Sequence, residues 1–180
     1  MNSRYVKSVE HKYLPEFVYG SMDGTITTFA VVSVVMGASL SSSIILILGF
    51  ANLVADGFSM SLSNYLSTSS SNDLNKRIKG FKRKSALKTS IATFVSFFVV
   101  GFIPLFPFVL ATVTNNFNIE ANQFIYSIFF TALALGIVGW FKGKITKKNR
   151  ITSSIQTITI GGIAASLAFL IGLLIKNLIG

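Results

Sequence analysis

Cysteine is absent from this sequence and histidine occurs once, at His11. The first absence removes disulfides, thiolate metal clusters and cysteine nucleophiles together. His11 sits in a polar N-terminal segment and is expected to be a surface residue rather than a ligand. Charge is scarce as well. Only 12% of the 180 residues are charged, about half the usual level for a soluble domain. From Ala86 to Phe141 the charged residues are Lys88 and Glu120, and from Phe17 to Asn72 they are Asp23 and Asp56. Stretches of that length cannot be covered with hydrated charge, so lipid is the expected solvent. No nucleophile–base pair or Gly-rich phosphate loop stands at a usable spacing, so an enzyme is not expected.

What the sequence has instead is apolar length. A hydrocarbon core takes about 20 mostly apolar residues per helical span. That ruler predicts an all-α polytopic membrane protein with five transmembrane helices, at about residues 17–36, 44–67, 87–113, 124–141 and 153–178. They form a single transmembrane domain over residues 1–180 with no separate soluble domain. Gly37-Ala-Ser-Leu-Ser-Ser-Ser43 is a tight turn suited to an antiparallel hairpin, and residues 115–122 make a short polar link. Residues 1–16 are polar and no small-residue cleavage site is near, so the first span is read as a retained helix rather than a signal peptide.

Lysine and arginine test the span count. Five spans put residues 1–16, 68–86 and 142–152 on one side, with Lys88 at the mouth of the third span. Of the 16 Lys and Arg, only Lys176 falls on the other side. Cytoplasmic loops carry the Lys/Arg excess, which places the N-terminus in the cytoplasm and the C-terminus opposite. The net charge of +10 therefore calls for no nucleic acid partner. The run Lys76–Lys88 reads as a topology signal with some lipid contact.

An ionisable residue inside a span costs about 2.5–3.5 kcal/mol on insertion scales and marks a candidate functional site. Asp23 and Asp56 are two such residues, each followed by a glycine, Gly24 and Gly57, that lets another helix backbone approach beside the carboxylate. Counting from the cytoplasmic ends of the apolar stretches at 1.5 Å per residue puts Asp23 roughly 9 Å deep and Met60 roughly 10 Å deep. Asp23 and Met60 are thus expected to be level, with Asp56 one turn deeper and Asn64 one turn shallower. Positions 52, 56, 60 and 64 fall on one slowly turning stripe. Carboxylate, amide and thioether facing a second carboxylate suit a dehydrated divalent cation, and the thioether favours a softer transition metal such as Fe²⁺. The alternatives are that Met60 is ordinary packing and that the aspartates make buried structural hydrogen bonds. Pro104 and Pro107 are expected to kink or break the third span. Gly161, Gly162, Ala165 and Ser166 form small-xxx-small spacings in the fifth.

Glu16-Phe-Val-Tyr-Gly-Ser-Met-Asp-Gly-Thr-Ile-Thr-Thr-Phe29 and Gly49-Phe-Ala-Asn-Leu-Val-Ala-Asp-Gly-Phe-Ser-Met-Ser-Leu-Ser-Asn-Tyr-Leu-Ser67 resemble the first two spans of the vacuolar iron transporter family. The third-span prolines and Ile160-Gly-Gly-Ile-Ala-Ala165 resemble it less specifically. The resemblance implies a homodimer with a metal path between the first two helices of each subunit. It also implies Fe²⁺ or Mn²⁺ as transported substrate, moved out of the cytosol in exchange for protons, with no resident cofactor. By position, Asp23 and Met60 match residues lining the family's translocation site, Glu16 matches an acid near its cytoplasmic entrance, and Asp56 matches a family aspartate. Two features depart from the pattern. The interval Thr68–Ala86 is short and basic where many members carry a Glu-rich metal-binding domain, and Asn64 stands where an acid is expected. Readings of other classes are a non-transporting membrane subunit and a transporter of another cation such as Ca²⁺. The membrane is a plasma membrane for a prokaryotic source and a vacuolar or other internal membrane for a eukaryotic one.

Overall fold

Each apolar stretch becomes a helix, because a spanning backbone surrounded by lipid must bond to itself. In the computed structural model these are α1 (Ser3–Gly37), α2 (Ser42–Leu74), α3 (Ala86–Gly101), a 3₁₀ turn (Ile103–Leu105), α4 (Phe106–Thr114), α5 (Phe117–Thr146) and α6 (Arg150–Ile179). The structure describes residues 3–78, 80–81, 83–114 and 117–179, and of these the side chains outside 3–12 and 117. His11, the cations at Arg4, Lys7, Lys12, Lys79 and Lys82, and Asn115 and Asn116 of the expected link lie outside the described side chains. Among the described residues there is no strand.

Five stretches are long and apolar enough to cross a membrane: Tyr13–Gly37, Ser42–Leu74, Ala86–Thr114, Asn118–Thr146 and Arg150–Ile179. These are the five expected spans, and the helices outrun them. Hydropathy marks the part of a helix that meets hydrocarbon, while backbone hydrogen bonding continues into the polar interface. The second helix thus runs on to Leu74 instead of ending near Ser67. Most of the expected polar link before the fourth span belongs to α5, with Glu120 in its first turn, where a negative charge complements the helix dipole.

The polarity of the molecule is inside out relative to a soluble protein. Ile47, Phe58, Ile155 and Leu174 are exposed, while Thr25, Thr28, Thr89, Thr93, Ser96 and Thr157 are wholly buried. Lipid is as apolar as leucine, so small hydroxyl residues that let helices approach make the better interior. Several satisfy themselves on the preceding turn, as in Thr93 Oγ1 to Thr89 O at 2.9 Å and Thr157 Oγ1 to Ser153 O at 2.8 Å.

α1 is the central helix, more than half buried along its apolar stretch, whereas α2 and α6 are largely uncovered. It packs on α3, α6, α5 and α2. At Gly24 a Cβ would run into the Phe97 carbonyl, and a Cβ on Gly101 would lie 2.9 Å from the Gly24 carbonyl group. α1 and α3 therefore touch backbone to backbone. In α6, Gly161 and Ala165 are buried, whereas Gly162 has nothing near its missing Cβ and Ser166 donates only within its own helix. Only half of the small-residue spacing thus packs within the chain.

The third span breaks where its prolines predict. Pro104 sits in the 3₁₀ turn, and the Ser127 hydroxyl of α5 donates to its carbonyl at 2.7 Å. The α1–α2 turn closes as a Schellman motif, with Leu40 N on Val35 O, Ser39 N on Met36 O, and Ser39 at φ 56°. Lys176 Nζ donates to Ser39 Oγ at 2.8 Å and Gln123 Nε2 to Ser42 Oγ at 2.6 Å. Those contacts gather the first turn, the start of α5 and the end of α6 at one end of the bundle. Glu16 and Lys84 meet at the other.

Candidate functional site

The hairpin of α1 and α2 sets the site, and its short turn fixes the register. α1 ends at Gly37 and α2 begins at Ser42, so each step back along α1 is matched by a step forward along α2. Asn52 Nδ2 reaches the hydroxyls of Thr27 and Thr28, each at 3.4 Å. Two turns nearer the Glu16 end, Met60 shares a groove with Tyr19, and beyond them Asn64 shares it with Glu16. Asp23 lies midway between Thr27 and Tyr19, and Asp56 midway between Asn52 and Met60. The two aspartates therefore fall at the same level of the hairpin.

This corrects the depth expected from the sequence, which paired Asp23 with Met60 and set Asp56 a turn deeper. The count used the ends of the apolar stretches. α2 projects beyond its stretch, and the tight turn, not the lipid boundary, sets the register. Four successive levels result: Glu16 with Asn64, Tyr19 with Met60, Asp23 with Asp56, and Thr27 with Asn52. From Glu16 to Asp23 the descent is about 10 Å at the helical rise.

The upper two levels open into a groove of about 390 Å³ that includes Glu16, Tyr19, Met60, Ser63, Asn64 and Ser67. Glu16, Met60 and Asn64, each expected near a cation path, are brought together here. Met60 also packs against the core formed by residues such as Leu53 and Phe97, so it serves packing and groove together. Asn64 is engaged on both sides: its Nδ2 donates to Thr93 Oγ1 of α3, and its Oδ1 accepts from Thr68 at 3.3 Å. In this state its amide ties α2 to α3.

Asp23 is half-buried and Asp56 exposed. Among the described residues no cation or hydrogen-bond donor pairs with either carboxylate, and Thr27 Oγ1 donates at 2.9 Å to the main-chain oxygen of Asp23, not to its side chain. Among the described residues neither aspartate side chain makes the buried structural hydrogen bond considered from sequence. Gly24 acts as expected, admitting the α3 backbone. Gly57 does not: its nearest neighbours are the rings of Phe97 at 3.1 Å and Phe94 at 3.4 Å, because α2 meets α3 through side chains at that level. Among the described residues no three His, Cys, Asp or Glu gather into a cluster able to hold a metal. One chain offers two carboxylates at one level of the hairpin, with Asn52 and Thr27 one turn to one side and Met60 one turn to the other.

Sequence reasoning missed Tyr19 and Lys84. Tyr19 stands one turn from Glu16, and that spacing is the signal for it. Lys84 carries no such signal. It lies 68 residues from Glu16, yet its Nζ is 2.8 Å from Glu16 Oε1.

Comparison with known proteins adds to this geometry. Residues 14–84 and 76–173 match the sequence model of the VIT family. The chain is 27% identical to a vacuolar iron transporter of Plasmodium falciparum (isolate 3D7), over 91% of this chain and 82% of that one. It is 24% identical to a vacuolar iron transporter of Toxoplasma gondii (strain ATCC 50861 / VEG), over 99% and 77%. It is 23% identical to vacuolar iron transporter 1 of Arabidopsis thaliana, over 90% and 86%.

Proposed function

The chain belongs to the VIT family, and from that premise we propose that it is a membrane transporter of Fe²⁺ or Mn²⁺, moving the metal out of the cytosol in exchange for protons. The observation that supports this reading is the register of the hairpin, which sets Asp23 and Asp56 at one level of two apolar helices, below a groove headed by Glu16. Relatives of the same family bear the name vacuolar iron transporter.

The chemistry follows from charge. Two bare carboxylates in a low-dielectric span are costly, and each raises the cost of the other. A divalent cation neutralises both at once, and protons do the same in its absence. Exchange of one for the other at a single pair yields antiport without a second proton site. On the way in, the cation meets Glu16, then the Met60 thioether, which favours Fe²⁺ over Mg²⁺ or Ca²⁺. The N-terminus faces the cytoplasm in this scheme, in keeping with the Lys/Arg distribution.

The functional unit is a homodimer. α2 is largely uncovered, and its open face carries Asp56, Ser59 and Ser63 among apolar residues. Lipid is a poor neighbour for a carboxylate. A second copy presenting the same face by twofold symmetry covers it and doubles the carboxylates along the path.

The test is uptake by purified protein in liposomes, with Fe²⁺ or Mn²⁺ outside and a pH gradient imposed or collapsed. Uptake that depends on the gradient, resists excess Ca²⁺ and disappears in Asp23→Asn is the expected result. Equal uptake by wild type, Asp23→Asn and empty liposomes refutes the proposal.

A further inference from the structure

Glu16 heads the groove, and in this structure a cation already occupies it. Lys84 Nζ lies 2.8 Å from Glu16 Oε1, the one ion pair among the described residues. The Glu16 side chain is 13% exposed and that of Lys84 38%. The acid is thus held in the protein while its partner stays open to water on one side. Glu16 Oε2 is buried and has no hydrogen-bond partner among the described residues, although a carboxylate accepts several. The Lys84 ammonium satisfies one oxygen and does not reach the other.

Lys84 is not a stray surface side chain. Asn72, on the part of α2 that projects beyond its expected end, holds the Lys84 backbone at both polar atoms. Its Nδ2 donates to Lys84 O at 2.7 Å, and its Oδ1 accepts from Lys84 N at 3.3 Å. The neighbouring Ser85 N donates to the Tyr13 hydroxyl at 3.4 Å, one turn of α1 before Glu16. The main chain is anchored to both helices of the hairpin, and the four-carbon stem is the part free to swing.

We propose that Lys84 is a tethered counter-ion that occupies the Glu16 entrance when no metal is present and is displaced by the entering divalent cation, so that it sets the affinity of the entrance. The proposal rests on the transport reading above. A single positive charge with one hydrogen bond neutralises Glu16 and does not reach Oε2. A divalent cation brings a second charge and engages that oxygen. A monovalent ion in water has no such advantage over an ammonium held in place by its own backbone.

The experiment has two arms. In the first, Mn²⁺ uptake rates are measured in proteoliposomes of wild type, Lys84→Met and Lys84→Arg, with thermal melts of each as a folding control. The ion pair is partly exposed and therefore modest in strength, so its removal should lower the KM for Mn²⁺ about 2- to 5-fold, with the maximal rate little changed and Lys84→Arg close to wild type. In the second arm, wild-type protein is treated with a membrane-impermeant acetylating reagent with and without Mn²⁺, and Lys84 and Lys176 are followed by mass spectrometry. Mn²⁺ should speed acetylation of Lys84 and leave Lys176 unchanged. An unchanged or raised KM in folded Lys84→Met overturns the proposal, as does Lys84 reactivity indifferent to Mn²⁺. The second arm decides alone if Lys84→Met does not fold. Absence of Mn²⁺ uptake by wild type overturns the transport reading and this proposal with it, whereas normal uptake with both Lys84 arms flat overturns this proposal only.

Discussion

Replacing Gly24 by alanine puts one methyl group where α1 and α3 touch. The new Cβ would fall inside contact range of the Phe97 carbonyl oxygen, 2.9 Å from Phe97 Cα and 3.0 Å from its carbonyl carbon. All three are backbone atoms of a helix, so no rotamer change makes room and the helices must separate. Overpacking of this kind costs about 1–3 kcal/mol, offset by the roughly 0.5–1 kcal/mol by which alanine is the better helix former. The net destabilisation is about 1–2 kcal/mol, or about 2–8 °C in Tm for a chain of this size. Gly162→Ala is the matched control, since nothing lies within 4 Å of its missing Cβ, and it should be neutral or stabilising. The assay is thermal unfolding of both variants in one detergent, followed by circular dichroism. Moving α1 also displaces Asp23 against Asp56, so metal uptake should fall in Gly24→Ala beyond what its lost stability explains. A Gly24→Ala protein as stable as wild type, or a Gly162→Ala protein less stable than Gly24→Ala, refutes the backbone contact.

Asp56→Asn, like Asp23→Asn, should reduce metal uptake at least about tenfold without lowering Tm, because it removes a charge that costs about 2.5–3.5 kcal/mol in a span; uptake at the wild-type rate would separate Asp56 from the path. Met60→Leu should keep the fold within about 1.5 kcal/mol, being close in volume, and narrow the preference for Fe²⁺ over Ca²⁺ in competition assays. Lowering the pH should weaken Mn²⁺ binding measured by equilibrium dialysis, since protons and metal compete for ligand carboxylates, and an affinity that does not change with pH contradicts exchange of one for the other. Ser39→Gly should raise stability by up to about 1–2 kcal/mol by removing a side chain from a left-handed position, less the hydrogen bond that Lys176 makes there.

Much of this molecule was legible in one dimension. Five apolar stretches give five spans because lipid leaves the backbone no other partner, and Pro104 breaks the third span because proline cannot donate the next hydrogen bond. Asp23 and Asp56 stand out as charges in an apolar setting, and the motifs around them resemble a known family from residue type and spacing alone. Those features are local: they depend on residue type and spacing along one helix. The levels of the site were not local. Apolar length marks where a helix meets lipid, not where it ends, so only the closed turn from Gly37 to Ser42 could set Asp23 level with Asp56 and Met60 level with Tyr19. Lys84 belongs to the same class. Its approach to Glu16 depends on Asn72, Tyr13 and the projecting end of α2 meeting in space, and a sequence separation of 68 residues carries no periodic trace of it. The sequence by itself determined the solvent of the chain and the charges that solvent makes costly, whereas the tertiary structure decided which of those charges face one another.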